Sequence, residues 1–221
     1  RRGGGVTERY YPAFLNLRGR RCVVVGGGAV GERKTAQLLA AGAVVTVVSP
    51  AVTPVVGAWA AEGRVAWRER PYASGDLAGA FAAVAGTDDA QANKAVRDEA
   101  EREGVLLNVV DDAPLSDFIA PAVVERGAVT IAVSTGGASP ALARKLREAL
   151  ERWPALAWAD AAEMLAQARA EARADGANPP PDAWQEAMSD DVLALVQAGK
   201  PDEAKALLVE ALRSAAQGLG R

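Results

Sequence analysis

Few residues in this chain carry chemistry, and the first group of them lies early. The stretch VVVGGGAVGERK, residues 23–34, sets Gly26, Gly28 and Gly31 in the spacing G-x-G-x-x-G directly after a β-branched run. In such a turn the first glycine lets the chain leave a strand sharply and the second lets a pyrophosphate approach the backbone. The third lets the next helix pack close to the sheet. The free N–H groups and positive dipole at that helix start favour phosphate. The implied chemistry is dinucleotide binding, and with it redox work. A carboxylate about 20 residues further on would grip the ribose 2′-hydroxyl. Here the next strand ends at Ser49-Pro50, with no arginine cluster for a 2′-phosphate, so this route does not separate NAD from NADP.

The second group is acidic and polar. Asp111 closes the apolar run VLLNVV, and a carboxylate at a strand end facing a cofactor crevice can accept a proton. On position alone it competes with an ordinary turn aspartate, and Asp112 beside it is the weaker candidate. Asn108, inside that run, either meets substrate or satisfies backbone. The loop STGGASP, 134–140, brings hydroxyls, glycines and a helix start together in Ser134, Thr135 and Gly136. That is a surface suited to anions, and Arg144 and Lys145 one turn on add positive charge.

The chain has no histidine, so the commonest general base and metal ligand is missing. Its one cysteine, Cys22, sits in a strand-like run and reads as a small buried hydrophobe. No resident metal site is expected. A net charge of −3 argues against a nucleic-acid partner. No run reaches the roughly 18 apolar residues of a membrane span, and the opening RRGGGVTERYYP has no apolar leader core. The expected address is the cytoplasm.

These residues need a scaffold. We read strands at 21–25, 44–48, 80–85, 105–110 and 128–134, and helices at 32–41, 93–103 and 141–152. The unit around the glycine turn is βαβ and its strands should be parallel. Beyond residue 155 everything reads as helix, at 155–175, 183–198 and 201–216, with NPPPD at 178–182 and Gly199 with Pro201 as breaks. The fold class is α/β, a Rossmann-type parallel sheet followed by a strand-containing segment and a helical C-terminal domain. The expected division is 1–113, 114–150 and 151–221.

Three ordered stretches make the reading specific: YPAFLNLRGRRCVVVGGGAVGERK, NVVDDAPLSDFIAPAVVERG and TIAVSTGGASPALARKLREALE. Over roughly residues 10–155 the chain resembles the siroheme synthase N-terminal module family. The resemblance implies NAD-dependent oxidation of precorrin-2 to sirohydrochlorin, in siroheme or cobalamin biosynthesis. In bifunctional members Fe²⁺ is then inserted, so Fe²⁺ or Co²⁺ enters as substrate. It also implies a homodimer built through the middle segment. By the same resemblance Asp111 is the aspartate implicated in activity. Ala29 and Val30 lie along the NAD, Ser49 and Pro50 contact it at the end of the second strand, and Thr87 stands on the nicotinamide side. Thr135 replaces a serine that is phosphorylated in one branch, and that modification is not carried over. The methyltransferase domain fused to some members has no counterpart in these residues, so the expectation is a chain that does not itself make precorrin-2. Two readings compete: an NAD(H)-binding redox sensor without catalysis, and a dehydrogenase of another small acid. The first should show a basic helical region if it reads DNA, and the tail mixes charges without one.

Overall fold

The computed structural model describes residues 10–174 and 179–218, with backbone alone for the last three. The first nine residues of the opening stretch and Asn178 of the NPPPD linker lie outside the described residues. The chain divides into two units. One runs to Ala120 and includes Gly136–Ala138; the other comprises Pro121–Thr135 and Ser139–Arg221.

In the first unit the β-branched run becomes β1 (Arg21–Val25), followed by α1 (Ala29–Ala40) and β2 (Val44–Val48). Then come α2 (Pro54–Ala61), β3 (Val65–Arg68), β4 (Ala82–Ala85), α3 (Ala90–Glu103) and β5 (Leu106–Val109). The five strands form one sheet in the order β3-β2-β1-β4-β5. Every pairing in it is parallel. Four of the five residues of β1 are buried, as a strand covered on both faces requires. Each fully buried valine is worth about 1.5–3 kcal/mol.

The sequence reading placed the expected strands and helices, with shifts at their ends. It passed over α2 and β3. PVVGAWAA is apolar all round and has no helical period, and the four residues of β3 are too short to show alternation. Helix α3 begins three residues before the expected Asn93, because Asp89 caps it by accepting from the N–H groups of Gln91 and Ala92.

A polar knot fastens the loop between β3 and β4. Buried Asp76 pairs with Arg68 and Arg70 and accepts from the Ala73 N–H. Burial pushes its carboxyl up, but these partners outweigh burial and hold its pKa at about 2. Buried Glu99 of α3 accepts from the N–H groups of Gly75 and Leu77 and from the Tyr72 hydroxyl. The loop is thereby tied to α3.

The second unit opens with an antiparallel hairpin of β6 (Ala122–Arg126) and β7 (Val129–Val133). Its turn uses Gly127 at φ 55°. Strand β6 was not foreseen, since Pro121 directly precedes it. Then follow α4 (Pro140–Glu151), a 3₁₀ stretch (Pro154–Ala161), α5 (Ala162–Ala174), α6 (Pro181–Ala187), α7 (Asp190–Gln197) and α8 (Pro201–Gly218). The helix expected over 155–175 is therefore 3₁₀ in its first part. The one expected over 183–198 is two helices, because Ser189 caps a fresh start by accepting from Val192 N–H. Met164, Ala168, Val192, Leu208 and Leu212 make the core of this helical part.

Candidate functional site

The strand order places the site. From β1 the chain steps outward to β2 and β3, then returns to lay β4 on the other flank of β1. At such a reversal open α/β sheets bind ligands outside the carboxyl ends of the strands. The glycine turn lies at this edge. A Cβ on Gly26 (φ 112°) would stand 2.5 Å from Gly86 O, one on Gly31 2.1 Å from Gly26 O, and one on Gly27 2.2 Å from Ala51 O. These three glycines are therefore required by the protein's own packing. Gly28 differs: a Cβ there would meet nothing within 4 Å.

Gly28 is also the N-cap of α1, and no side chain caps that helix. Its neighbours in the unit are capped, α2 by Thr53 and α3 by Asp89. The first N–H groups of a helix have no partner within it. Those of Ala29 and Val30 donate to no described residue, and Gly28 and Ala29 are exposed. This fits a dinucleotide: the donors are unpartnered, the dipole is positive there, and the one glycine not needed for packing stands at the helix start.

Ser49 lies beside the turn and is buried. Its hydroxyl donates to Ala51 O at 2.7 Å, and its carbonyl accepts from Trp67 Nε1 at 3.0 Å. It shapes the corner, and Pro50 next to it is exposed. Thr87 follows β4, where its carbonyl accepts from Asn93 Nδ2 at 2.9 Å and its Oγ1 from Asp89 N–H at 2.9 Å. The buried Oδ1 of Asn93 has no partner among the described residues. Sequence reasoning missed Gly27, Gly86 and Asn93. The unbroken GGG run and the position of Asn93 one turn into the capped helix were the available signals.

At the end of β5 two adjacent aspartates separate in role. Asp112 is used by the turn: its Oδ1 accepts from Leu115 N–H at 3.3 Å and its carbonyl from the Ser116 hydroxyl at 2.7 Å. Asp111 is exposed and makes no hydrogen bond or ion pair with a described residue. Its φ of 60° is the one positive value outside glycine among the described residues. Aspartate tolerates this conformation better than most residues, at a cost. The turn thus holds a free carboxylate at the strand end in a conformation that most side chains avoid. Asn108, by contrast, is buried and its amide donates to Phe118 O at 3.0 Å. It fastens the returning chain, together with the Asp117 carboxylate, which accepts from Leu107 N–H at 3.0 Å and pairs with Arg97.

In the 134–140 loop the Thr135 Oγ1 accepts from Ser139 N–H and donates to Ser139 O, both at 3.1 Å. Ser139 caps α4 by accepting from Leu142 N–H at 3.2 Å. A Cβ on Gly137 would lie 3.8 Å from Ala113 Cβ, so the loop's glycines rest against the turn after Asp112. Ser134 and Arg144 are both exposed, and Gly136 has φ 61°. Among the described residues there is no cluster of three or more His, Cys, Asp or Glu able to hold a metal ion. No helix among them is long and apolar enough to cross a membrane.

A family model described as NAD(P)-binding matches residues 13–122, and one described as sirohaem biosynthesis protein central matches 126–152. The siroheme synthase of Nitrosococcus oceani is 36% identical over 92% of this chain and 44% of its own length. That of Chromobacterium violaceum is 46% identical over 64% of this chain and 30% of its own. The chain thus spans less than half the length of these curated relatives. The solved structure of SirC, precorrin-2 dehydrogenase, superposes with a TM-score of 0.73 at 26% identity, covering 91% of this chain and all of that one. The first unit is an NAD(P)-binding Rossmann domain.

Proposed function

The chain belongs to the siroheme synthase N-terminal module family, and on that footing we propose that it oxidises precorrin-2 to sirohydrochlorin with NAD⁺. The observation that carries this is the pairing of an uncapped, glycine-built helix start with a free, strained Asp111 at the same strand edge. Bound there, the nicotinamide accepts the hydride, which is chemistry the protein itself need not supply. Gly28, with the N–H groups of Ala29 and Val30, holds the diphosphate, and Gly26 and Gly31 pack the turn that brings these groups there. Ser49 and Pro50 border the ribose corner, and Thr87, steadied by Asn93, borders the nicotinamide side. Asp111 takes the proton that leaves as the hydride departs, so the macrocycle loses two electrons and two hydrogens. Ser134, Gly136 and the exposed Arg144 are assigned to substrate carboxylates on their chemistry, while the Thr135 hydroxyl, engaged with Ser139, shapes the loop that presents them. Asn108 supports the strand end and not the substrate directly.

A homodimer is part of the proposal. Val123 on β6, Leu142 and Leu146 on α4, and Trp153 are large apolar side chains left exposed in the second unit. We assign these side chains to the contact between two copies of the chain. We place the protein in the cytoplasm, with tetrapyrrole as substrate and Fe²⁺ or Co²⁺ as a second substrate of a bifunctional enzyme.

The test is anaerobic absorbance spectroscopy of precorrin-2 with this protein and NAD⁺, followed by Fe²⁺ or Co²⁺. NADH and sirohydrochlorin should appear together. Asp111→Asn should lower kcat about 10²–10⁴-fold, the usual worth of a positioned acid–base group, with NAD⁺ affinity unchanged. A metal-dependent change beyond a protein-free control assigns chelation to the chain. NAD⁺ binding without any oxidation overturns the reading in favour of a sensor.

A further inference from the structure

Lys34 is placed by a helix face. It follows Val30 by four residues, so the two side chains share one stripe of α1. The position of Val30 is fixed by packing. A Cβ on Gly86 would lie 3.5 Å from Val30 Cγ1 and 3.7 Å from Val110 Cγ2, so that glycine is the floor on which helix and strand end meet. Side chains on a helix lean toward its N-terminus. The stem of Lys34 therefore runs back over Val30, toward Val110 and Asp111.

The Lys34 ammonium is within electrostatic reach of Asp111 and in contact with no carboxylate among the described residues. Lys34 is half-buried and makes no hydrogen bond or ion pair with a described residue. Burial pushes its pKa down and neighbouring Arg33 adds to this, while the Asp111 carboxylate pulls the other way. Other basic groups of the molecule have acids in direct contact: Arg97 with Asp117, Arg126 with Asp160, Lys205 with Glu171. A cation partly withdrawn from water and left unpaired is costly to keep. The cost is recovered when an anion arrives.

We infer that Lys34 is a substrate-binding residue whose ammonium receives a peripheral carboxylate of the tetrapyrrole while Asp111 addresses the ring. The inference rests on the precorrin-2 reading. The acetate and propionate arms extend outward from the macrocycle. A cation close enough to act on Asp111, yet outside ion-pair contact with it, stands where such an arm falls when the ring is against the carboxylate. The dinucleotide phosphates are the competing guest, since the stem runs back toward the helix start, and the measurement of NAD⁺ affinity separates the two.

Three measurements on Lys34→Met, Lys34→Gln and Lys34→Arg test this, after melting curves show which variants fold. They are steady-state kinetics with precorrin-2, NAD⁺ affinity, and spectral titration with sirohydrochlorin. For Met and Gln the KM for precorrin-2 and the Kd for sirohydrochlorin should rise about tenfold, the loss of one charge-assisted contact. Values of kcat should stay within about twofold and NAD⁺ affinity should not change, and Arg should restore most of the loss. Unchanged KM and Kd in a folded variant overturn the inference, and so does a loss confined to NAD⁺ affinity. Absence of turnover by the unaltered protein is the separate failure of the dehydrogenase reading. The sirohydrochlorin titration then still decides for or against Lys34.

Discussion

Two glycine-bearing turns in this chain lead from a strand into a helix, GGGAVG after β1 and STGGASP after β7, and they finish differently. The first leaves the start of α1 without a side-chain cap, and a Cβ on its middle glycine would meet nothing. The second closes on itself: Ser139 caps α4, and Thr135 bonds both the N–H and the carbonyl of Ser139. One turn keeps its donors for a ligand, whereas the other uses its hydroxyls to build its own helix start. Glycine spacing and polarity alone do not separate these outcomes. What separates them is whether a hydroxyl falls at the N-cap, and at Gly28 none does.

Substitutions should break this contrast in a graded way. Gly31→Ala should have the largest effect, because its Cβ would stand 2.1 Å from the Gly26 carbonyl oxygen. Overpacking against backbone should cost about 1–3 kcal/mol or more, read as a lower denaturation midpoint together with lost nucleotide binding. Gly28→Val should weaken NAD⁺ binding at least about tenfold, roughly 1.4 kcal/mol, while melting stays close to that of the unaltered protein. A Gly28 variant that unfolds would show that this glycine, like its neighbours, serves packing. Ser139→Ala should cost about 1 kcal/mol of stability, the usual worth of an N-cap, and leave NAD⁺ affinity untouched. Gly28→Ser should have the smallest effect on stability, a few tenths of a kcal/mol. By offering α1 a hydroxyl of its own it makes the first turn resemble the second, and nucleotide titration should show weaker binding. Binding that is unchanged or tighter would mean the uncapped start is not what holds phosphate.

Much of the first unit was legible because its signals are local. The β-branched runs at β1 and β2 and the glycine spacing are both set by near neighbours in the chain. The elements missed, α2, β3 and β6, are short, and two of them are defined by their sheet partners and not by any period of their own. The same division runs through the site. The motif pointed to Gly26, Gly28 and Gly31, but only packing distinguishes Gly28 from the other two. NVVDD offered two aspartates as candidates, and their sequence context is the same. Asn108 looked free to meet substrate, and its amide is engaged by Phe118 O from ten residues away.

The sequence by itself determined the Rossmann strand–turn–helix, the family, and the absence of histidine chemistry, since these depend on residue type and short spacing. The tertiary structure decided which donors and charges stay unpaired. It occupied Asp112 and left Asp111 free with φ 60°, and it left Lys34 half-buried with no acid in contact. Whether a polar group is satisfied depends on what distant parts of the chain bring to it, and folding alone settles that.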